Sequence, residues 1–98
     1  MGNVRTFVLH PRAPATAEVG ALSSTIVQKN PNRTSISIIN LSDRMVFLSF
    51  NDYPAVLNSG IAIFPGGGTF LMDDFTASED CINAISTGAV TLAIQEFE

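Results

Sequence analysis

The chain has 98 residues, of which 46% are hydrophobic and 14% charged, with a formal net charge of -4. That length suits one domain, and five Lys and Arg against nine Asp and Glu exclude a basic footprint for nucleic acid or a polybasic membrane anchor. A single Cys excludes an intramolecular disulfide and a thiolate-rich zinc site.

The start, Met1-Gly2-Asn3-Val4-Arg5, lacks the charged region and long apolar core of a signal peptide. Met1-Gly2 with Thr6 formally fits a myristoylation pattern but reads better as an ordinary initiator methionine. No apolar run approaches the ~20 residues of a spanning helix, so the sequence reads as a soluble protein made in a cytoplasm. Residues 3–9, rich in Val, Thr and Phe, read as a first strand. In His10-Pro11-Arg12-Ala13-Pro14-Ala15 two prolines fix φ and remove donors, which predicts an extended linker. Leu22–Gln28 is a second strand, and Asn30-Pro31-Asn32 is a turn by composition. Arg33 to Ile38 alternates with period two, one face apolar and one polar. Ile38-Ile39 breaks the alternation, which predicts a bulge or a strand covered on both faces.

Leu41-Ser42-Asp43-Arg44 supplies a turn. Met45–Phe50 resumes as a strand with Val46, Leu48 and Phe50 on one face and Met45 and Phe47, also apolar, on the other. A small domain has one core, so that second face asks for another cover, such as a partner chain. Asn51-Asp52-Tyr53-Pro54 is a loop, Ile61–Phe64 a short strand apolar on both faces, and Pro65-Gly66-Gly67-Gly68 a turn. Thr69–Met72 is a strand, Asp73–Asp80 an acidic loop with room for one helical turn, and Cys81–Ser86 a strand. Thr87-Gly88 marks a hairpin, and Val90, Leu92 and Ile94 alternate through the last strand to the C-terminus. Seven or eight short strands with turns every 8–12 residues or so predict an all-β fold, a single antiparallel β-sandwich of jelly-roll type. Residues 1–98 form one domain, with 1–15 as an extended arm and linker.

Candidate chemistry is sparse. His10, the only histidine, has no nearby carboxylate to orient it and reads as a surface linker residue. Cys81 follows Glu79 and Asp80, which disfavour a thiolate, and reads as structural. Gly66-Gly67-Gly68 lacks the Lys and the following helix of a phosphate loop, so it reads as a turn that needs positive φ. Asp73, Asp74, Glu79 and Asp80 lack calcium-loop spacing and read as a solvated acidic loop. The seven Phe and one Tyr are not interleaved with Lys or Arg as in a single-strand nucleic-acid platform. No Ser-His-Asp or Cys-His arrangement can be assembled. The expectation is a non-enzyme with no catalytic residues, cofactor or metal.

Asn30-Pro31-Asn32-Arg33 through Asn40-Leu41-Ser42-Asp43 follows an N-P-x-R-x-x-φ-x-φ-x-N-x-S-D order (φ apolar). Phe47-Leu48-Ser49-Phe50-Asn51, Gly60-Ile61-Ala62-Ile63, Pro65-Gly66-Gly67 and Ala84-Ile85-Ser86-Thr87-Gly88 come after it. Over about residues 30–95 (a span taken from these motif ends) this order resembles small β-sandwich virion proteins of tailed bacteriophages. These comprise capsid decoration (cement) proteins and the bases of head or tail fibres. The resemblance implies a structural, non-enzymatic protein on the capsid exterior. It would act as a homotrimer that bridges subunits of the major capsid protein, with no nucleic-acid or membrane partner. It implies interface roles for Val4, Phe7 and Leu9 on the arm and for Met45, Phe47 and Phe64 on apolar faces. Asn3–Leu9 either adds a strand to a neighbouring chain or is an ordinary edge strand of its own sandwich. The stretch before residue 30 has no counterpart, and 98 residues leave no room for a separate fibre domain, which favours a cement protein. A head-fibre base, neck or tail component is the alternative. A carbohydrate-binding β-sandwich, with Asn51-Asp52-Tyr53 as its candidate site, is a second.

Overall fold

The computed structural model describes residues 10–72 and 78–98. The strand expected over 3–9, its interface candidates Val4, Phe7 and Leu9, and Asp73 and Asp74 of the acidic loop lie outside the described residues. Among the described residues there are eight strands: β1 (Ala15–Val19), β2 (Ser24–Val27), β3 (Ser35–Asn40), β4 (Val46–Phe50), β5 (Ile61–Ile63), β6 (Gly68–Met72), β7 (Ile82–Ser86) and β8 (Val90–Phe97).

They form two four-stranded sheets, ordered β1-β8-β3-β6 and β2-β7-β4-β5. Every neighbouring pair is antiparallel. The chain can be pictured as doubled back on itself between β4 and β5. That doubling pairs β1 with β8, β2 with β7, β3 with β6 and β4 with β5. Rolling the doubled ribbon adds the contacts β3·β8 and β4·β7. This is the jelly roll, and the all-β sandwich expected from the spacing of turns is the fold observed. Short connections at 20–23, 41–45, 64–67 and 87–89 lie at one end. The longer ones, 28–34 and 51–60 among them, lie at the other.

The core sits between the sheets. Ile36 and Ile38 of β3 with Val90, Leu92 and Ile94 of β8 face Val46 and Leu48 of β4 with Ile82 and Ala84 of β7. These are the period-two apolar positions of their strands. Phe50 and Phe70 meet edge to face at one border, ring centroids 6.1 Å apart.

Three sequence expectations need correction. The linker at 10–15 belongs to the sheet. His10 and Glu98 exchange both backbone hydrogen bonds, at 3.1 and 2.8 Å, and the Arg12 amide donates to the Glu96 carbonyl. Pro11 faces Phe97 at the intervening position, where a ladder needs no N–H, so proline is tolerated there. β1 then follows over Ala15–Val19, a strand whose apolar positions are two alanines and one valine and so give a weak signal. Second, of the two readings of Ile38-Ile39 the bulge is not observed: β3 pairs with both β6 and β8 in unbroken register, and its outer face, Ile39 included, is half-buried. The irregular register is in β2, between Thr25 and Val27. Third, the outer face of β4 is covered from within the chain. Phe47 is buried against Ala55, Ile85 and Met45, because the connection 51–60 folds across that sheet.

The β5–β6 turn carries its glycines for two reasons. Gly66 and Gly67 have φ of 72° and 101°, the left-handed region. A methyl group at Gly68 would overlap the backbone carbonyl oxygen and nitrogen of Phe64. Gly68→Ala is therefore expected to cost about 1–3 kcal/mol through forced backbone shifts. Gly20→Ala, whose methyl would meet nothing within 4 Å, should stay within about 0.5 kcal/mol. Thermal unfolding of the pair checks this, since a domain this size shifts by roughly 4–8 °C per kcal/mol.

Candidate functional site

Three polar residues of the resemblance motif, Asn30, Arg33 and Asn40, are buried. Arg33 enters β3 with a side chain that is fully buried. Its Nε donates to Glu96 Oε2 at 2.8 Å. Nη1 donates to the carbonyls of Ser78 and Asp80 at 2.6 and 2.9 Å, and Nη2 to that of Gln28 at 2.9 Å. One guanidinium thus fastens the β2–β3 connection, the residues before β7 and the end of β8. Asn30 works beside it. Its Oδ1 accepts from the Asn32 amide at 3.0 Å, an Asx turn. Its Nδ2 donates to Glu98 Oε2 at 3.0 Å.

That amide bond, a second hydrogen bond from Arg12 and the positive charge of Arg12 hold the Glu98 carboxyl below its usual 4.5, and partial desolvation opposes them. A carboxyl lowered in the fold favours folding above its ordinary pKa, and this contribution disappears as the pH falls through the lowered value. Stability is expected to drop below about pH 4.5, with a flatter profile in Glu98→Gln. Thermal midpoints taken from neutral pH to about pH 3 test the difference in slope.

At the opposite end Asn40 is fully buried. Its Nδ2 donates to the Arg44 and Ile63 carbonyls at 2.6 and 3.2 Å. Its Oδ1 accepts from the Ser42 amide and hydroxyl at 3.0 and 2.6 Å. On β7, Ser86 Oγ donates to the Met45 carbonyl at 2.7 Å. Among the described residues every buried side-chain polar atom has a partner. These groups close turns and fasten loops, and sequence reasoning saw them as motif letters without their burial. The signal available was position: Asn40 falls on the inward phase set by Ile36 and Ile38.

His10 is exposed at the sheet margin, and Cys81 is half-buried with its thiol donating to the Asn51 carbonyl at 3.3 Å. Among the described residues no three His, Cys, Asp or Glu side chains gather as metal ligands.

The remaining interface candidates separate. Met45 and Phe47 belong to the small cluster on the outer face of β4, whereas Phe64 is 66% exposed at the β5–β6 turn. Phe64 is not alone. Ile61 on β5 and Leu71 on β6, 69% exposed, stand on the two strands that border the sheets on this side. Between them Phe50, Ile61, Phe70, Leu71 and Met72, with Ser78, line a largely apolar cleft of about 450 Å³. Sequence reading marked Phe64 and the double-faced β5, but it could not place Leu71 beside Ile61 of that strand. The pairing of β3 with β6 and of β4 with β5 brings these residues to one border. The chain matches no family model, no curated protein and no solved structure.

Proposed function

We propose that this chain is a structural protein of a bacteriophage virion, a decoration protein that binds the capsid exterior as a homotrimer and bridges subunits of the major capsid protein. The observation that carries the reading is the apolar border of β5 and β6, where the exposed Ile61 and Leu71 line the cleft and Phe64 is exposed at the turn that joins the two strands. Isolated exposed apolar residues are ordinary, but a contiguous group beside two sheet edges is the feature of an adhesive surface. The order of turn motifs over residues 30–95 supports the phage assignment. The jelly roll is among the folds that build viral capsids. Burial of this border against a partner would contribute about 25 cal/mol per Å² of apolar area, less the cost of association. It requires no reaction.

Purified virions provide the test. Quantitative gel densitometry should find the protein in hundreds of copies per particle. About a dozen copies would instead identify a head-fibre base, neck or tail component, and absence from the particle would overturn the virion assignment. Leu71→Asp and Phe64→Asp are expected to lower capsid retention without unfolding the sandwich, since both side chains are exposed. Retention equal to that of the native protein would remove the β5–β6 border from the mechanism.

A further inference from the structure

On the outer face of the β2-β7-β4-β5 sheet, between β2 and the β4–β5 connection, lies a polar hollow of about 280 Å³. We propose that it binds a single neutral sugar unit of a glycan. This inference is independent of the virion reading and uses a different surface from the β5–β6 border. Asn51, Asp52, Ser23, Ser24 and Thr25 line the hollow, with Asn83 of β7 beneath.

The connection that presents Asn51 and Asp52 is fixed to the sheet. The Asn83 amide donates to the carbonyls of Asn51 and Tyr53 at 3.0 and 2.8 Å. Thr25 Oγ1 donates to Asn83 Oδ1 at 2.9 Å and holds that amide in place. The Asn51 amide donates to the Cys81 carbonyl at 2.9 Å, and the Ala55 amide to Ser23 Oγ at 2.8 Å. Asn51 itself takes φ of 63°, a left-handed conformation that asparagine tolerates better than most residues. Its position between two anchored strands makes the turn a rigid support, as a binding site requires.

The chemistry of the lining selects the ligand class. Asp52 is the one charged lining group, so the hollow suits neither an anion nor a multivalent cation. A carboxylate accepts from two hydroxyls at once, an amide side chain both donates and accepts, and serine hydroxyls do either. That set matches adjacent hydroxyls on a sugar ring. Pro54 completes the lining and offers a small apolar surface for the C–H side of a sugar. The volume lies just below the usual 300–1,000 Å³ or so of ligand pockets, a scale suited to one ring.

A printed glycan array, followed by NMR titration of the ¹⁵N-labelled full chain with D-glucose, D-galactose, D-mannose and N-acetyl-D-glucosamine, tests this. The expected result is binding to at least one array glycan. With it, at least one of the four sugars should move the amide signals of Ser24, Asn51, Asp52 and Tyr53 at about millimolar affinity. Asp52→Ala and Ser24→Ala, both at lining positions, should each weaken that binding at least about tenfold while leaving the rest of the spectrum in place. A blank array with no shifts, shifts that map to another surface, or binding unchanged in both variants would overturn the proposal. None of these outcomes bears on virion copy number, so the two readings stand or fall separately.

Discussion

Arg33→Ala is expected to destabilise the protein by about 3–5 kcal/mol, the range for breaking a buried ion pair by removing one partner. The side chain is fully buried and makes four hydrogen bonds, one to the Glu96 carboxylate and three to main-chain carbonyls. Its loss strips Glu96 of its cation and leaves the Ser78, Asp80 and Gln28 carbonyls without this donor. Each stranded buried acceptor costs about 1–3 kcal/mol when water cannot replace the donor. Domains are stable by only about 5–15 kcal/mol, so the variant should be largely unfolded or close to it at 37 °C. Arg33→Lys should recover little. An ammonium is a compact point on a flexible stem and cannot span acceptors that the planar fork reaches from three nitrogens. Urea unfolding followed by circular dichroism measures both variants, and a loss below about 1 kcal/mol for Arg33→Ala would contradict the clamp.

Asn40→Asp should cost a similar amount with almost no change of shape. The Nδ2 of Asn40 points at two carbonyl oxygens, those of Arg44 and Ile63. A carboxylate oxygen there would set three acceptors against one another in a site with no solvent access. An uncompensated charge at such depth costs about 3–5 kcal/mol. The new acid can relieve the conflict by keeping a proton and donating it, which raises its pKa in the folded state. The loss relative to the native protein should therefore be largest near neutral pH and shrink in acid. Parallel urea titrations at neutral and acidic pH give both quantities, and equal losses at the two pH values would contradict the assignment of Nδ2 as a donor to carbonyls.

The fold was legible where the side chains alternate cleanly. Ile36 and Ile38, and Val90, Leu92 and Ile94, define two strands of one sheet by period alone, and their phases place the core face correctly. The glycines at 66 and 67 announced their turn because few other residues take positive φ at low cost. β1 was not legible, since Val19 alone of its residues is buried in the core and the prolines upstream suggested a linker. Proline breaks a ladder only where an N–H is needed, and the pairing of Pro11 with Phe97 falls where none is.

The sites were harder to read than the strands. Phe47 pointed correctly to an apolar outer face of β4, but its cover comes from Ala55, one small residue within a connection dominated by turn formers. Nothing local announces that such a loop folds back over a sheet. Arg33 and Asn83 were opaque for a related reason. Their burial depends on carbonyls supplied by segments about 45 and 30 residues away in sequence, which only the assembled fold brings near. The β5–β6 border combines side chains from three strands and is a product of topology, not of any local pattern.

Adhesion through that border is the physical basis of the proposed role, and the molar mass in solution reports on it most directly. Size-exclusion chromatography with light scattering should give three times the 10.4 kDa of the chain, with Leu71→Asp shifting the protein toward the single-chain mass. A native protein that elutes at 10.4 kDa across the accessible concentration range would contradict self-association and with it the trimeric decoration role.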